Sequence, residues 1–599
     1  MSKIPLAYRI RAAAGTFLRR RMRQARHEFL AAARSGCRDS QQAVLHGLLQ
    51  LNHDSQFSRD RRLSAGMSIA EFQNAVPVAD YELVRPYVER VAAGEHQALL
   101  GSANRLQMFA VTSGTTSESK LIPVTDRFLH DYRRGWQMWG IGTYSEHARL
   151  QKLNIVQISS SHRRFATPGG TPCGNISGLV AAMQSTIVRT LYTIPSAVAE
   201  IGDAEAKRYT ILRMALADPY VGMLITANPS TLLQLLDHAN QHPESLIRDI
   251  RDGGLSGCEL PESVRGLMRK RLQPNCARAK VLESIIREHG SFRPRSCWPM
   301  LGVLGVWCGG SAAAYIPRLR QQFDDVPVRD HGLHASEGRM TLPLEDNSSA
   351  GVLEVQTHFF EFIPVGESES TQPVVLEAHE LEEGREYFIL LTTSSGLYRY
   401  NIQDVVRCVG FYGTTPILEF RHKGAHISSI TGEKIAESQV VESVRTACSM
   451  TGLSPQIYTL TPCWGEPPGY TLYVGRLSDN LANQRTAAAA SRESAGSDGR
   501  KSDAAGRGSV LLSGQKSTHH EFAMVLDEDL CRRNVEYGEK RHTGRLQMIR
   551  VQELTPDAWK SFTNLRQSGS GGSAEQYKHP CLMPDPQFEE KFLKACGLR

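Results

Sequence analysis

The stretch "VTSGTTSESKLIPVT", residues 111–125, crowds Ser113, Gly114, Thr115, Thr116, Ser117 and Ser119 ahead of Lys120, then runs into an apolar segment. Glycine lets the backbone turn so that several N–H groups converge on one point, and neighbouring hydroxyls add donors. The following lysine adds positive charge. Such a stretch reads in two ways, as a plain polar turn or as a cradle for phosphate. It is not a Walker loop, because the chain contains no Gly-Lys dipeptide.

Outward from this point, short β-rich runs alternate with helical segments between about 105 and 425. "LNIVQISS" (153–160), "VGMLITA" (221–227) and "EYFILLTT" (386–393) read as buried strands. "STLLQLLDHAN" (230–240), with apolar spacing of three and four, reads as a helix opened by a Ser or Thr cap. Alternation of this kind over some three hundred residues predicts an α/β fold of sheets flanked by helices. Residues 20–100 carry a helical pattern. After about 425 the texture changes to a helix, "ESQVVESVRTACSMTG", then strands, a helix at "EFAMVLDE" and a strand at "RLQMIRVQEL". The expected organisation is a large domain over 1–425, with 1–100 as a helical lead-in, and a smaller α+β domain over 426–599. Residues 480–518 are rich in Ala, Ser, Gly and charge, and too poor in large apolar groups to offset their ordering entropy. They read as a disordered insertion.

At 599 residues, one core is too few and two or more domains are expected. The net charge of +7 is small for that length and concentrated in the first thirty residues, so it does not argue for nucleic acid. No run approaches the eighteen or so apolar residues of a membrane span. The amino-terminal "MSKIPLAYRIRAAAGTFLRRRMRQARHEFL" is broken by arginines and reads as a basic amphipathic helix, not a signal peptide. A packing helix and a membrane-surface or carrier-docking helix both fit that pattern. Twelve cysteines without a C-x-x-C pair fit neither a disulfide framework nor a zinc site, and point to a reducing cytoplasm.

Three further segments could complete a phosphate-handling site. In "DHGLHASEGRM" (330–340), Glu337 follows Ser336 and precedes Gly338. Such a carboxylate is either a solvated surface group or a ligand for Mg²⁺ beside phosphate oxygens. In "GLYRYNIQDVVR" (396–407), Asp404 follows the alternating run "LYRYNI" and reads as a strand-end carboxylate. It is a turn residue or an acceptor for a ribose diol. In "GGSAEQYKHP", Lys578 lies just past a Gly/Ser stretch, where it is a surface charge or a cation able to swing over phosphate. An α/β-hydrolase is excluded by the absence of a G-x-S-x-G elbow, since "GNISG" (174–178) has the wrong spacing.

Together "TSGTTSESKLIP", "GLHASEG", "GLYRYNIQDVVRCVGFYGTTP", "SSITGEKI" and "EQYKHP" resemble the motif series of the GH3 family of acyl-acid amido synthetases, within the superfamily of adenylate-forming enzymes. The resemblance spans about residues 70–585. It implies ATP and Mg²⁺ as cofactors, with Ser113, Gly114, Thr115, Thr116 and Lys120 around the phosphates. It implies Glu337 at the metal and α-phosphate, Ala335 and Ser336 beside the adenylate, Asp404 on the ribose and Lys578 as a catalytic cation. "WCGGSAAAYIP" (307–317) resembles the turn facing adenine, which implies Gly309, Gly310 and Ser311. The chain departs from the family pattern at Gln403, where glycine is usual, and in the insertion. The implied reaction is adenylation of a carboxylic acid and transfer of the acyl group to an amine such as an amino acid. The alternatives are an acyl-CoA ligase and an inactive binding protein. The expected acyl pocket draws on 159–178, with His162, Arg163 and Arg164, and on 220–235. A hinge is expected near 420–435, in a cytoplasmic monomer.

Overall fold

The computed structural model describes residues 4–599 apart from 114–118, 160, 164, 257, 270, 310–311, 313–314, 368–369, 371, 425–426, 456, 480–510, 560, 563–580, 585–587, 589–592 and 594–599. The chain forms two compact units, one of Met1–Thr112 with Lys120–His422 and one built on Lys423–Arg599.

The first unit opens with helices, among them Leu6–Ala14, Thr16–Ser35, Cys37–Leu51 and Tyr81–Ala92. Local chemistry sets their starts. Ser68 and Glu71 form a reciprocal capping box that opens Ile69–Ala75. Strands follow as β1 (Leu106–Ser113), β2 (Ser119–Thr125), β3 (Asn154–Gln157), β4 (Phe165–Ala166), β5 (Pro172–Gly174), β6 (Val221–Ile225), β7 (Val303–Gly305) and β8 (Val328–Arg329). After them come β9 (Thr341–Leu342), β10 (Ala350–Leu353), β11 (Phe359–Pro364), β12 (Leu376–Glu377), β13 (Glu386–Thr392), β14 (Tyr400–Tyr412) and β15 (Thr415–Lys423).

These strands build three sheets, in the orders β2-β1-β5-β4, β3-β6-β7-β8 and β12-β11-β13-β14-β15-β10-β9. The second is wholly parallel. Its central strand β6 is buried at every position, as a sheet covered on both faces requires. The helix Pro229–Gln241 lies where apolar spacing predicts it, but its cap is Asn228, whose side chain accepts from the Ser230 N–H, with Pro229 in the first turn. A residue with an Asx side chain followed by proline outcompetes the Ser/Thr cap expected there. One core unites the helical lead-in with the first and third sheets, and a second fills the parallel sheet and its helices.

The second unit holds the helix Glu437–Thr451 and strands β16 (Ile427–Ser428), β17 (Ile435–Ala436), β18 (Leu453–Pro455), β19 (Tyr458–Cys463), β20 (Gly469–Val474), β21 (Leu477–Asp479) and β22 (Arg550–Glu553). Its main sheet has the order β19-β20-β22. The helix Leu511–Arg533 starts inside the segment expected to be disordered, so that segment reaches at most residue 510; 480–510 lie outside the described residues. Phe522, Leu526 and Leu530 recur at helical spacing on its buried face, and that burial organises the helix.

The connection from β8 to β9 is tightly folded. Gly332 has φ +81°, and a Cβ there would lie 2.1 Å from the Thr341 carbonyl oxygen. Gly332→Ala is expected to cost about 3 kcal/mol or more of stability. Urea unfolding measures it, and an unchanged midpoint would mean that this loop tolerates rearrangement.

Candidate active site

In parallel α/β sheets, ligands bind beyond the carboxyl ends of the strands. Here those ends deliver two segments side by side. After β7 comes Trp307-Cys308-Gly309, and after β8 comes the run from Asp330 to Glu337. The Cys308 N–H donates to Asp330 Oδ2 at 2.5 Å and the Gly332 N–H donates to Oδ1 at 2.6 Å. Burial nevertheless pushes the Asp330 carboxyl up to about 7. Gly309 packs within 3.5 Å of Trp307 and Phe420 at the position where a Cβ would stand, so the turn lies against an aromatic wall.

The acidic motif is a hairpin turn. His334 and Arg339 form an antiparallel bridge and the Ala335 N–H donates to the Gly338 carbonyl at 2.8 Å. Ala335 and Ser336 are half-buried on this turn. A Cβ on Gly338 would come within 2.9 Å of His358, so the turn closes only with glycine there. Glu337 is 4% exposed, and its Oε2 has no hydrogen-bond partner among the described residues. An ionised oxygen held this way is costly to bury, and a cation or a set of donors brought by a ligand offsets that cost.

Tyr400, at the start of β14, links the sequence motifs. The Lys120 ammonium on β2 donates to the Tyr400 hydroxyl at 3.3 Å. It also stands 5.4 Å and 5.8 Å from the ring centroids of Tyr81 and Tyr400. Burial drives the Tyr400 phenol well above its ordinary value, and the charges of Glu337, Tyr81, Asp80 and Asp404 push it further. Lys120, far away in sequence, thus hydrogen-bonds to Tyr400, whose phenol also feels the charges of Glu337 and Asp404.

Asp404 is not at a strand end. It sits within the thirteen-residue β14, 3% exposed, at a bulge. Phe388 pairs with Val405 and Leu390 with Asn401, so Ile402, Gln403 and Asp404 together face the single residue Ile389. Gln403 has φ +62°, and its N–H donates to the Asn401 side chain at 2.8 Å. The left-handed backbone explains why glycine suits this position, and here a Gln carries the strain. Strand alternation alone missed the bulge because the extra residues shift the pairing without breaking the strand.

Arg339 supports the acidic turn from beneath. Its Nε donates to Glu354 at 2.6 Å and its Nη2 to the His331 carbonyl at 2.7 Å, with the guanidinium 4.8 Å from the Trp136 ring centroid. Arg339 and Glu354 are each 1% exposed. A Cβ on Gly135 would lie 2.4 Å from Arg339 Cδ, so the helix Asp126–Glu146 approaches closely only through that glycine. Burial and the Arg339 charge lower the nearby histidines, His334 to about 4, and both His331 and His334 are neutral near pH 7. Trp136, Trp307 and His334 lie edge to face around the turn. None of Tyr400, Arg339, Trp136 or Trp307 stood out as a site residue in the sequence. The only signal was their position within or beside the motifs.

Gly114, Thr115, Thr116, Gly310, Ser311, Arg164 and Lys578 lie outside the described residues. Ser113 closes β1, next to β2 in its sheet. His162 faces Glu200 at 3.9 Å, and Arg163 is exposed.

The model of the GH3 family N-terminal domain matches residues 26–328, that of the central domain 351–423, and that of the C-terminal domain 438–587. A putative indole-3-acetic acid-amido synthetase of Oryza sativa subsp. japonica, GH3.10, is 27% identical over 448 residues, covering 72% of this chain and 88% of the relative. The jasmonoyl-L-amino acid synthetase JAR4 of Nicotiana attenuata is 24% identical over 436 residues, covering 68% and 73%. The AtGH3.15 acyl acid amido synthetase in complex with 2,4-DB shares the fold, with TM-score 0.62 and 21% identity over 96% of this chain and 95% of that one. A 2-hydroxyisobutyryl-CoA ligase matches at TM-score 0.50 and 13% identity, over 92% and 91%. The fold is that of adenylate-forming enzymes. The chain belongs to the GH3 family.

Two substitutions test this geometry. Gln403→Gly is expected to stabilise the protein by about 0.5–1 kcal/mol, the relief of a left-handed residue less the entropy of a new glycine. A lower urea midpoint would contradict the strained bulge. Arg339→Met strands Glu354 and is expected to cost about 3–5 kcal/mol, most of it recovered in Arg339→Met/Glu354→Met. Equal losses in the single and double variants would show that the pair is not coupled.

Proposed function

We propose that the protein activates a carboxylic acid with ATP and then joins the acyl group to an amine, an amino acid in the simplest case. The observation that carries this reading is the buried Glu337 oxygen without a hydrogen-bond partner among the described residues, together with the hydrogen bond from Lys120 to Tyr400, whose phenol burial and the charges of Glu337 and Asp404 push up. The amido synthetase activity of the curated relatives supports it.

A carboxylate is a poor acyl donor because oxide would have to leave. Its attack on the α-phosphorus of ATP expels pyrophosphate and leaves an acyl-adenylate. The amine then attacks the carbonyl, and AMP leaves. The charge that builds on the phosphoryl oxygens must be met by donors already in position. Lys120 lies at the head of β2, directly after the Ser/Thr/Gly-rich segment 113–119, which would supply further donors. The Glu337 carboxylate suits Mg²⁺, a hard cation that takes carboxylate and phosphate oxygens together and would neutralise phosphate charge. The Asp404 carboxylate, held by the bulge, would accept from the ribose hydroxyls. Ala335, Ser336 and the turn at Gly309, Gly310 and Ser311 would flank the adenylate. Lys578 of the smaller unit would add a cation during adenylation, and a hinge near 420–435 would let that unit move between the two half-reactions.

An acid-by-amine screen read as pyrophosphate release tests the reading, with CoA included as an acceptor. Pyrophosphate dependent on an acid, followed by an amide, is the expected outcome. Acid-dependent pyrophosphate followed by a thioester with CoA and no amide would make it an acyl-CoA ligase, and none with any acid would leave a binding protein. Lys578→Ala and Lys120→Met are each expected to slow pyrophosphate release about 100-fold, the scale of one lost charge-stabilising donor. Glu337→Gln is expected to raise the Mg²⁺ concentration needed for half-maximal rate; an unaltered Mg²⁺ response would remove Glu337 from the site.

A further inference from the structure

The family models begin at residue 26, and the chain before that point carries a surface of its own. Two helices, Leu6–Ala14 and Thr16–Ser35, meet at Gly15, whose φ of −74° and ψ of −2° remain near helical. The Gly15 N–H donates to the Arg11 carbonyl and the Arg19 N–H to the Gly15 carbonyl, so the turns continue across the join. One face is docked. Tyr8 packs edge to face on Tyr220, Arg11 donates to the carbonyls of Thr190 and Leu153, and Ala12 is buried.

The other face is apolar and open. Leu6 is 68% exposed, Ile10 59%, Phe17 83% and Leu18 40%. At roughly 100° per residue these four side chains fall within an arc of about 120°, on the side away from Tyr8 and Ala12, with Arg11 next to its Leu18 edge. Arg9 and Arg20 lie together beyond the Leu6 edge of the arc, Arg21 lies within it, and all three are exposed. The first 27 residues hold eight Lys and Arg and no acid, so the remaining 572 sum to −1 against a whole-chain charge of +7.

We propose that this amino-terminal face binds the surface of an anionic lipid bilayer. A helix face of leucine, isoleucine and phenylalanine, with arginines within it and along one edge, fits a plane of anionic headgroups over hydrocarbon. Pairing with a second copy through the same face is disfavoured, because it would set the guanidiniums of Arg9, Arg20 and Arg21 against their copies, with Glu28 the single acid of the two helices. The apolar arc covers ground that a nucleic-acid surface would fill with further polar groups.

Co-sedimentation of the full chain with vesicles tests the proposal, using phosphatidylcholine alone and phosphatidylcholine mixed with phosphatidylglycerol. Binding is expected to the mixed vesicles only, and to weaken as salt is raised. Ile10→Ser/Phe17→Ser and Arg20→Glu/Arg21→Glu are each expected to reduce the bound fraction about tenfold, with pyrophosphate release in solution unchanged. Failure of the wild-type chain to sediment with the mixed vesicles overturns the proposal, as does undiminished binding in both double variants. A dimer seen by analytical ultracentrifugation and lost in Ile10→Ser/Phe17→Ser, without vesicle binding, would assign the face to self-association instead.

Discussion

The Arg339 guanidinium is where the first unit is tied together. It joins the acidic turn between β8 and β9 to Glu354, just past β10, and lies over Trp136 of the helix that follows β2. A buried ion pair gains little over apolar packing, yet losing one partner is costly, so the pair enforces a geometry more than it adds stability. With Arg339 fixed, the His331 carbonyl is fixed, and the hairpin turn carrying Glu337 has one place to go. Burial first, and the same positive charge after it, keep His331 and His334 neutral beside the turn.

The candidate site draws on all three sheets of the first unit. The sheet of β1 and β2 brings Lys120, the parallel sheet brings the turns at Gly309 and Glu337, and the seven-stranded sheet brings Tyr400 and Asp404 through its bulge. Tyr400 connects two of these sheets, because its hydroxyl accepts from the Lys120 ammonium, and burial and the charges of both acids push its phenol up. A bulge serves such a junction well: it turns Asp404 inward at mid-strand, where an unbroken ladder would keep it in alternating register. Gln403 shows the cost, a left-handed backbone on a residue with a Cβ.

Much of this was legible in the sequence. The alternation of apolar runs located β3, β6, β13 and the helix Pro229–Gln241, because burial on a sheet and along a helix has fixed periods. Lys120, Glu337 and Asp404 stood out because a hydroxyl-rich turn, an acid between small residues and an acid after an alternating run are chemically distinct from their surroundings. Their neighbours did not. Tyr400, Arg339 and Trp136 are residue types found in any core, and nothing local separates a packing tyrosine from one bonded to a buried lysine. The bulge was hidden for a related reason, since the apolar pattern continues on both sides of it. The Asn228 cap was missed because two adjacent cap chemistries compete there, and only the backbone chooses.

The sequence by itself determined the class of fold, the family and the residue types available for phosphate chemistry, because these follow from local periodicity and from short motifs with a chemical purpose. Tertiary structure alone decided that Lys120 bonds to Tyr400, that Arg339 holds the acidic turn, and that Leu6, Ile10 and Phe17 face outward. Each of those facts depends on which distant segments share a buried or exposed surface, and residues hundreds of positions apart carry no mark of that until the chain has packed.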